Sequence, residues 1–349
     1  MKMLALLLAS VCGLAPMLCA QRSETPGVTL NAIATCEMLL SHPVFMANAT
    51  CDDAGNIYTR LNDPKTMGGP YTFRTPVQEI TPDTRLTRNF DATDAFSREA
   101  ESRVFFSGRD GRVYALESMR HASYMVEFAA DGSMKSKVTL ELDPYAEVWH
   151  LAVFNSGEYL LVGGTAVATK TGIKDERTPF TAIFASDGHF LKKIYEPEDE
   201  ASRQKGGGNE IPGSPIDNSN NFVLAGDVTA GSDGNAYLLR GGYPALVYVI
   251  SPKGNVLRKL QIDAGRPDLV ATSIKFYDGR LAIGFDSNPD FPRNLIKVVD
   301  LKGNSIADYT VEQPKSEPDR ILACYGPSGF TMIPRCVEAK LHLLTVKLP

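Results

Sequence analysis

Apolar and polar residues alternate along most of this chain, in short runs that are separated by turns containing glycine. The segment 246–260, LVYVISPKGNVLRKL, shows the pattern: an apolar, β-branched run, a Pro-Lys-Gly-Asn turn and a second alternating run. This pattern predicts a β-hairpin. Four other segments repeat it, at 77–90, 126–138, 182–194 and 298–309. A hairpin that recurs along a chain is typical of a β-propeller.

A second kind of hairpin is interleaved with the first. Its pattern, Asp-x-x-Gly-Asn-Ile-Tyr, occupies residues 52–58, and looser variants follow along the chain. Such a tight turn needs a positive φ angle, which glycine adopts freely, and Asp or Asn caps the turn backbone. The six turns of this kind contain Gly55, Gly111, Gly157, Gly234, Gly279 and Gly329.

Six hairpins of one kind and five of the other predict an all-β fold, a six-bladed β-propeller whose blades each have four antiparallel strands. The last blade lacks one strand, because only 340–347 is strand-like after 330–333. We expect the N-terminal strand, Val28 to Thr35, to complete that blade and to remove the exposed edges of an open ring. Seven blades, with an irregular extra blade inside 197–221, is the alternative.

The two turn patterns together resemble those of the secreted six-bladed propellers of the NHL-repeat and gluconolactonase-like superfamily. The Asp-x-x-Gly-Asn-x-Tyr turns and the Ile-Ser-Pro-Lys-Gly-Asn-Val hairpin carry this resemblance, which covers nearly all of the mature chain. For gluconolactonase-like members it implies a divalent cation, held at the central channel by Glu, Asn and Asp side chains from different blades. Candidates for these oxygen ligands are Glu147, Asp217 and Asp227.

The N-terminal stretch differs from the rest. Residues 1–20 begin with Met-Lys, continue with an apolar stretch and end at Ala20, which predicts a cleaved secretory signal peptide. The apolar stretch is shorter than the roughly 20 residues of a membrane-spanning helix. We therefore expect residues 21–349 to form a single exported propeller domain, periplasmic or extracellular and without a transmembrane segment. A net charge of −5 argues against a nucleic-acid-binding protein.

Four cysteines remain after cleavage, Cys36, Cys51, Cys324 and Cys336. An even number in an exported chain favours disulfides. Local bridges, Cys36 to Cys51 and Cys324 to Cys336, are the simplest pairing. Pairs between the two ends of the chain would instead lock the ring closed.

The connections on the two faces of the disc differ in length. The hairpin turns are short and share one face, whereas the connections on the other face are long, at 61–76, 165–179, 196–221, 286–293 and 311–319. Long loops are usually functional or disordered, so we expect any site on the long-connection face. Candidate ligand-binding residues there or in the channel are Trp149, His150 and Tyr243, and candidate metal ligands are Asp286, Asn288 and Asp290.

Two functions follow as expectations. The first is a monomeric, non-enzymatic binding or interaction module, with no cofactor, that recognises a protein, peptide or glycan across the long-connection face. The alternative is a metal-dependent hydrolase of the lactonase type with a divalent cation at the channel.

Overall fold

The structure is a computed structural model that describes residues 28–30, 34–40, 44–62, 75–96, 100–119, 122–169, 172–194, 227–286, 294–311, 320–334, 336–337 and 340–348. The described residues form an all-β fold of six small sheets, and their helical structure is limited to one 3₁₀ turn, Thr93–Ala95. The prediction of a six-bladed β-propeller is confirmed, and a seventh sheet is absent from the described part of the chain.

Each blade is built from strands that follow one another along the chain, after two N-terminal strands, β1 (Val28–Leu30) and β2 (Ala34–Leu39). The first three blades contain β3 (Val44–Cys51), β4 (Ile57–Asn62), β5 (Val77–Ile80), β6 (Leu86–Phe90); β7 (Glu101–Ser107), β8 (Val113–Met119), β9 (Ala122–Phe128), β10 (Met134–Leu140); and β11 (Ala146–Val153), β12 (Tyr159–Thr169), β13 (Gly172–Phe184), β14 (Phe190–Lys193). The next two contain β15 (Val228–Ala230), β16 (Ala236–Arg240), β17 (Ala245–Ile250), β18 (Val256–Ile262); and β19 (Val270–Tyr277), β20 (Arg280–Asp286), β21 (Asn294–Asp300), β22 (Ser305–Val311). The sixth contains β23 (Arg320–Gly326), β24 (Gly329–Pro334), β26 (Lys340–Val346) and the N-terminal strand β2, whereas the short β25 (Cys336–Val337) belongs to the sheet of the first blade.

The glycine turns lie where the sequence places them. All six predicted turn glycines of the second hairpin type have positive φ, between 68° and 107°. The turn at 52–58 shows why its polar residues recur: Asp52 accepts hydrogen bonds from the backbone and side chain of Asn56 and from the hydroxyl of buried Tyr58 at 2.8–2.9 Å. Burial and the nearby Asp52 carboxylate raise the pKa of Tyr58, so its phenol stays protonated and donates.

The N-terminal segment closes the ring, but with a different strand from the predicted one. The strand that completes the sixth blade is β2, which pairs antiparallel with β26 from Ala34↔Thr345 to Leu39↔Lys340. The earlier strand β1 instead pairs in parallel with β22 and extends the fifth blade. The prediction that the N-terminal segment completes the last blade is confirmed, but the strand that does so is 34–39 and not 28–35. Leu30 explains the placement of β1, because its side chain is buried in the apolar cluster between blades five and six.

A disulfide joins the two ends of the propeller. Cys51 at the end of β3 is bonded to Cys324 in β23, a sequence separation of 273 residues. The local pairings Cys36 to Cys51 and Cys324 to Cys336 are therefore wrong, and a pairing between the chain ends is present. β25, which follows β24 along the chain, pairs with β3 at the edge of the first blade, so the C-terminal segment is joined to that blade by backbone pairing as well as by the covalent bond.

The apolar core lies between neighbouring blades. Tyr58 of blade one contacts Phe90, which in turn meets Phe128 of blade two with ring centroids 5.9 Å apart. Tyr114 and Tyr159 form a similar contact between blades two and three, at 6.4 Å. These tilted and edge-on ring contacts bury large apolar areas, which favours a rigid disc around the channel.

Candidate functional site

The innermost strands of the six blades, β3, β7, β11, β15, β19 and β23, contact one another in ring order and surround the central channel. Five of them carry a register irregularity against the second strand of their blade. Such bulges bend a strand and change the direction of its side chains. The innermost strands end at the face that carries the short turns, which we call the hairpin face.

A buried ion pair lies in the channel. Lys275 of β19 is 6% exposed, and its Nζ donates to Oδ2 of Asp227 at 2.6 Å and to the carbonyl oxygen of Ala49 at 3.1 Å. Asp227 directly precedes β15, and its Oδ1 accepts from the backbone N–H of Val228 at 2.8 Å. A single ammonium group therefore links blades one, four and five, and the charges of a buried lysine and a half-buried carboxylate compensate each other.

A second cation lies across the hairpin-face end of the channel. Nε of Arg109, in the blade-two turn, donates to Oδ1 of Asp53 in blade one at 2.8 Å. The guanidinium carbon lies 5.6 Å from the ring centroid of Phe276 in blade five. Blades two and five lie opposite each other in the ring of six blades, so the Arg109 side chain spans the channel mouth. Its Nη1 atom is buried and has no hydrogen-bond partner among the described residues.

These groups line one cleft at the hairpin-face end of the channel, which we call the channel cleft. In it the Ser107 hydroxyl donates to Oγ1 of Thr50 at 2.7 Å and so joins blades one and two. The residues that line the channel cleft are Thr50, Cys51, Asp52, Asp53, Phe106, Ser107, Arg109, Val228, Thr229, Ala230, Lys275, Phe276 and Tyr325. They come from all the blades except the third.

Another buried polar cluster lies between blades one and two, towards the long-connection face. Arg60 of β4 is 1% exposed, and its Nη2 lies 3.8 Å from Oε1 of Glu117 in β8. Ser102 donates a short hydrogen bond to the same carboxylate, and the guanidinium carbon lies 5.4 Å from the ring centroid of Phe105. Burial lowers the pKa of Arg60 to about 10, so this group stays charged at neutral pH. Burial also raises the pKa of Glu117, against the attraction of Arg60.

The raised pKa of Glu117 predicts a pH dependence of stability. The folded state holds the Glu117 proton more tightly than the unfolded state, whose pKa lies near 4.5. The contribution of the Glu117 proton to the free energy of unfolding is therefore complete below that pH and is lost as the pH rises through the pKa of the folded state. We expect the Glu117→Gln variant to lack this part of the decline in stability with rising pH. Urea unfolding of both proteins between pH 4 and 8 measures it, and two parallel curves would contradict the assignment.

The residues that the sequence singles out lie in separate places. Glu147, Trp149 and His150 lie on β11 of blade three, where Glu147 is buried and Trp149 falls at the register irregularity. Asp227 is paired with Lys275, as described above. Tyr243 is 47% exposed in the connection between β16 and β17.

The predicted metal ligands can be placed only in part. Oδ2 of Asp286, at the end of β20, accepts a hydrogen bond from the Thr272 hydroxyl at 2.9 Å. Asp217, Asn288 and Asp290 lie outside the described residues. Within the described ranges, no three His, Cys, Asp or Glu side chains lie close enough together to hold a metal ion. The cation site of the lactonase alternative remains a prediction.

Lys275, Arg109 and Arg60 are not among the site residues that the sequence patterns predicted. A signal for Lys275 exists, because it interrupts the apolar end of a strand, Ile-Lys-Phe-Tyr, where a lysine is costly to bury without a partner. Arg109 is part of a Gly-Arg-Asp-Gly-Arg turn, which reads as an exposed polar hairpin. Its reach across the channel depends on the ring and has no local signal.

No family model and no curated protein matches this chain. Solved structures with a similar fold include a protein of unknown function from Bacteroides caccae, 14% identical, covering 76% of this chain and 81% of that one, with a TM-score of 0.44. A candidate gluconolactonase is 11% identical, covering 91% of this chain and 94% of that one, with a TM-score of 0.49. YCF48 bound to D1 peptide is 10% identical, covering 92% of this chain and 99% of that one, with a TM-score of 0.43. At such identities the likeness concerns the fold alone.

Proposed function

We propose that this protein is an exported, non-enzymatic binding module that recognises a protein, peptide or glycan through its long-connection face. The observation that carries the proposal is the length of the hairpin β12–β13. The innermost strand of blade three begins at Ala146, opposite Thr165, but β12 and β13 continue to pair beyond this point as far as Thr169↔Gly172. Residues 165–179, expected as a loop, are thus largely an extended hairpin, which we call the ribbon.

The direction of the ribbon supports this proposal. β12 runs away from the Gly157 turn on the hairpin face, so its far end points out of the long-connection face. The four residues beyond Thr165 extend about 13 Å at the usual rise per residue of a strand. Neither backbone edge of the ribbon is paired with β11 or β14 over this length, because their pairings end at Ala146 and Lys193. Free strand edges are templates for pairing with another chain.

The frame that carries the ribbon supports binding and export. The Cys51–Cys324 bond and the β2–β26 pairing close the ring, which holds the ribbon on a preorganised scaffold. Disulfides persist in oxidising compartments such as the periplasm and the extracellular space. No helix in the described ranges is long and apolar enough to cross a membrane.

A photo-crosslinking experiment tests the proposal. A benzophenone amino acid at Ala168 in the ribbon is expected to form covalent adducts in the cells that express the protein. The matched control is the same amino acid at Lys253, an exposed position in the turn between β17 and β18 on the hairpin face. Adducts from position 168 alone support the proposal. Equal adducts from both positions, or none from 168, contradict it.

Removal of the ribbon gives an independent prediction. Because Thr165 is opposite Thr178, residues 166–177 can be replaced with an Asn-Gly turn that closes a regular hairpin. We expect the shortened protein to unfold within about 1 kcal/mol of the parent, since surface changes are usually small. Affinity for the crosslinked partner should fall at least tenfold. A parent protein whose melting temperature rises with millimolar calcium, together with lactone hydrolysis by that protein, would overturn the proposal in favour of the hydrolase.

A further inference from the structure

The channel cleft contains hydrogen-bond donors that have no acceptor among the described residues. The Nε–H of Arg109 donates to Asp53, but the buried Nη1 of the same side chain has no hydrogen-bond partner among the described residues. The Lys275 ammonium carries three N–H donors, and two of them go to Asp227 and Ala49. The Thr50 hydroxyl accepts from Ser107 and keeps its own proton to donate.

The carboxylates around the cleft are already engaged. Asp52 accepts three hydrogen bonds from Asn56 and Tyr58, at 2.8–2.9 Å. Asp227 accepts on both oxygens, from Val228 and Lys275. Asp53 accepts from the charged guanidinium of Arg109. Asp53 accepts on Oδ1 alone, but its side chain is half exposed and water can reach it. Among the buried groups of the cleft, the unused hydrogen-bonding capacity is therefore on the donor side, at Arg109 and Lys275.

A buried donor without an acceptor is costly, and few occur in native proteins. The group that best satisfies an arginine N–H, a lysine N–H and a hydroxyl together is an anionic oxygen acceptor, because hydrogen bonds between charged partners are the strongest. The walls of the cleft also include Phe106, Phe276 and Tyr325, which favour a ligand with an apolar part. A small organic carboxylate combines both properties.

We propose that the channel cleft binds a small monocarboxylate, whose oxygens accept from Arg109 Nη1 and the free donors of Lys275 and Thr50. This site lies on the hairpin face, away from the ribbon, so it does not depend on the proposed binding function. Both cations also have a carboxylate partner, Asp53 and Asp227, which limits the net positive charge of the cleft. We therefore expect weak binding, with a Kd on the order of 1 mM.

Propionate is the probe for the test. Saturation-transfer NMR on its methyl protons, with the mature protein at constant ionic strength, should show saturable binding. Propionamide has the same shape without the charge and should bind at least tenfold more weakly. Arg109→Gln should weaken propionate binding at least tenfold, as the loss of a hydrogen bond between charged groups predicts.

The matched control is Arg85→Gln. Arg85 also forms an arginine–aspartate pair in a turn on the hairpin face, with Asp83, but its side chain is 76% exposed and lies outside the cleft. This variant should bind propionate like the parent. Urea unfolding checks that each variant is folded, and Thr50→Val gives a second, independent change in the cleft. No saturable signal, or equal binding by Arg109→Gln and the parent, would overturn the proposal.

Discussion

Replacing Lys275 with methionine is expected to lower the free energy of unfolding by about 3 kcal/mol, the lower end of the usual cost of breaking a buried ion pair. The Lys275 ammonium forms an ion pair with Asp227 in the channel, and the Lys275 side chain is 8% exposed. Without it, Asp227 retains one backbone hydrogen bond, and its negative charge loses the compensating cation. The side chain of Asp227 is 24% exposed, so water offsets part of the cost. Urea unfolding at pH 7 measures the change.

A double-mutant cycle of Lys275→Met, Asp227→Asn and the double variant separates the ion pair from the loss of packing. In Lys275→Met with Asp227→Asn, no uncompensated charge remains, and the amide oxygen can still accept from the Val228 N–H. We expect this double variant to regain at least about 1 kcal/mol relative to Lys275→Met. The exposed pair Arg85–Asp83 is the comparison, where Arg85→Met should cost less than about 1 kcal/mol. Equal losses for Lys275→Met and Arg85→Met would show that the channel ion pair does not stabilise the ring.

The turns of the fold are encoded by short stretches of sequence, whereas the contacts in the channel are not. Gly55 and Gly234 have positive φ, and a turn that needs this conformation is visible within a few residues of sequence. The blade count follows from such turns. The contacts of Lys275 are different, because they join residues 48 and 226 positions apart. They exist only after the ring has closed, and no local pattern encodes them.

The N-terminal strands also pair with partners that a local sequence pattern does not predict. Val28–Leu30 and Ala34–Leu39 are both short strands with apolar residues, and either can complete a blade by pattern alone. Their partners, β22 and β26, lie near the other end of the chain. The expectation of closure was correct, because an open ring would leave edges exposed. The bounds of the closing strand were wrong, because pairing between distant segments depends on packing such as that of Leu30.

The bond between Cys51 and Cys324 gives the second large effect. We expect the Cys51→Ala/Cys324→Ala variant to lose about 2–4 kcal/mol of unfolding free energy, the usual contribution of a disulfide, because the bond restricts the unfolded chain over 273 residues. Alanine is chosen because Cys324 is 3% exposed and a serine hydroxyl there would be buried. Urea unfolding with and without reductant measures the loss.

The reductant separates this bond from ordinary packing effects. If Cys51–Cys324 is the stabilising bridge, reductant should lower the stability of the parent towards that of the double variant and change the variant much less. The strand pairings β2–β26 and β25–β3 still connect the ends of the chain, so the reduced protein should remain folded. Peptide mapping without reduction should recover the fragments around 51 and 324 joined. A fragment joining 51 to 36, or a variant as stable as the oxidised parent, would contradict closure by this bond.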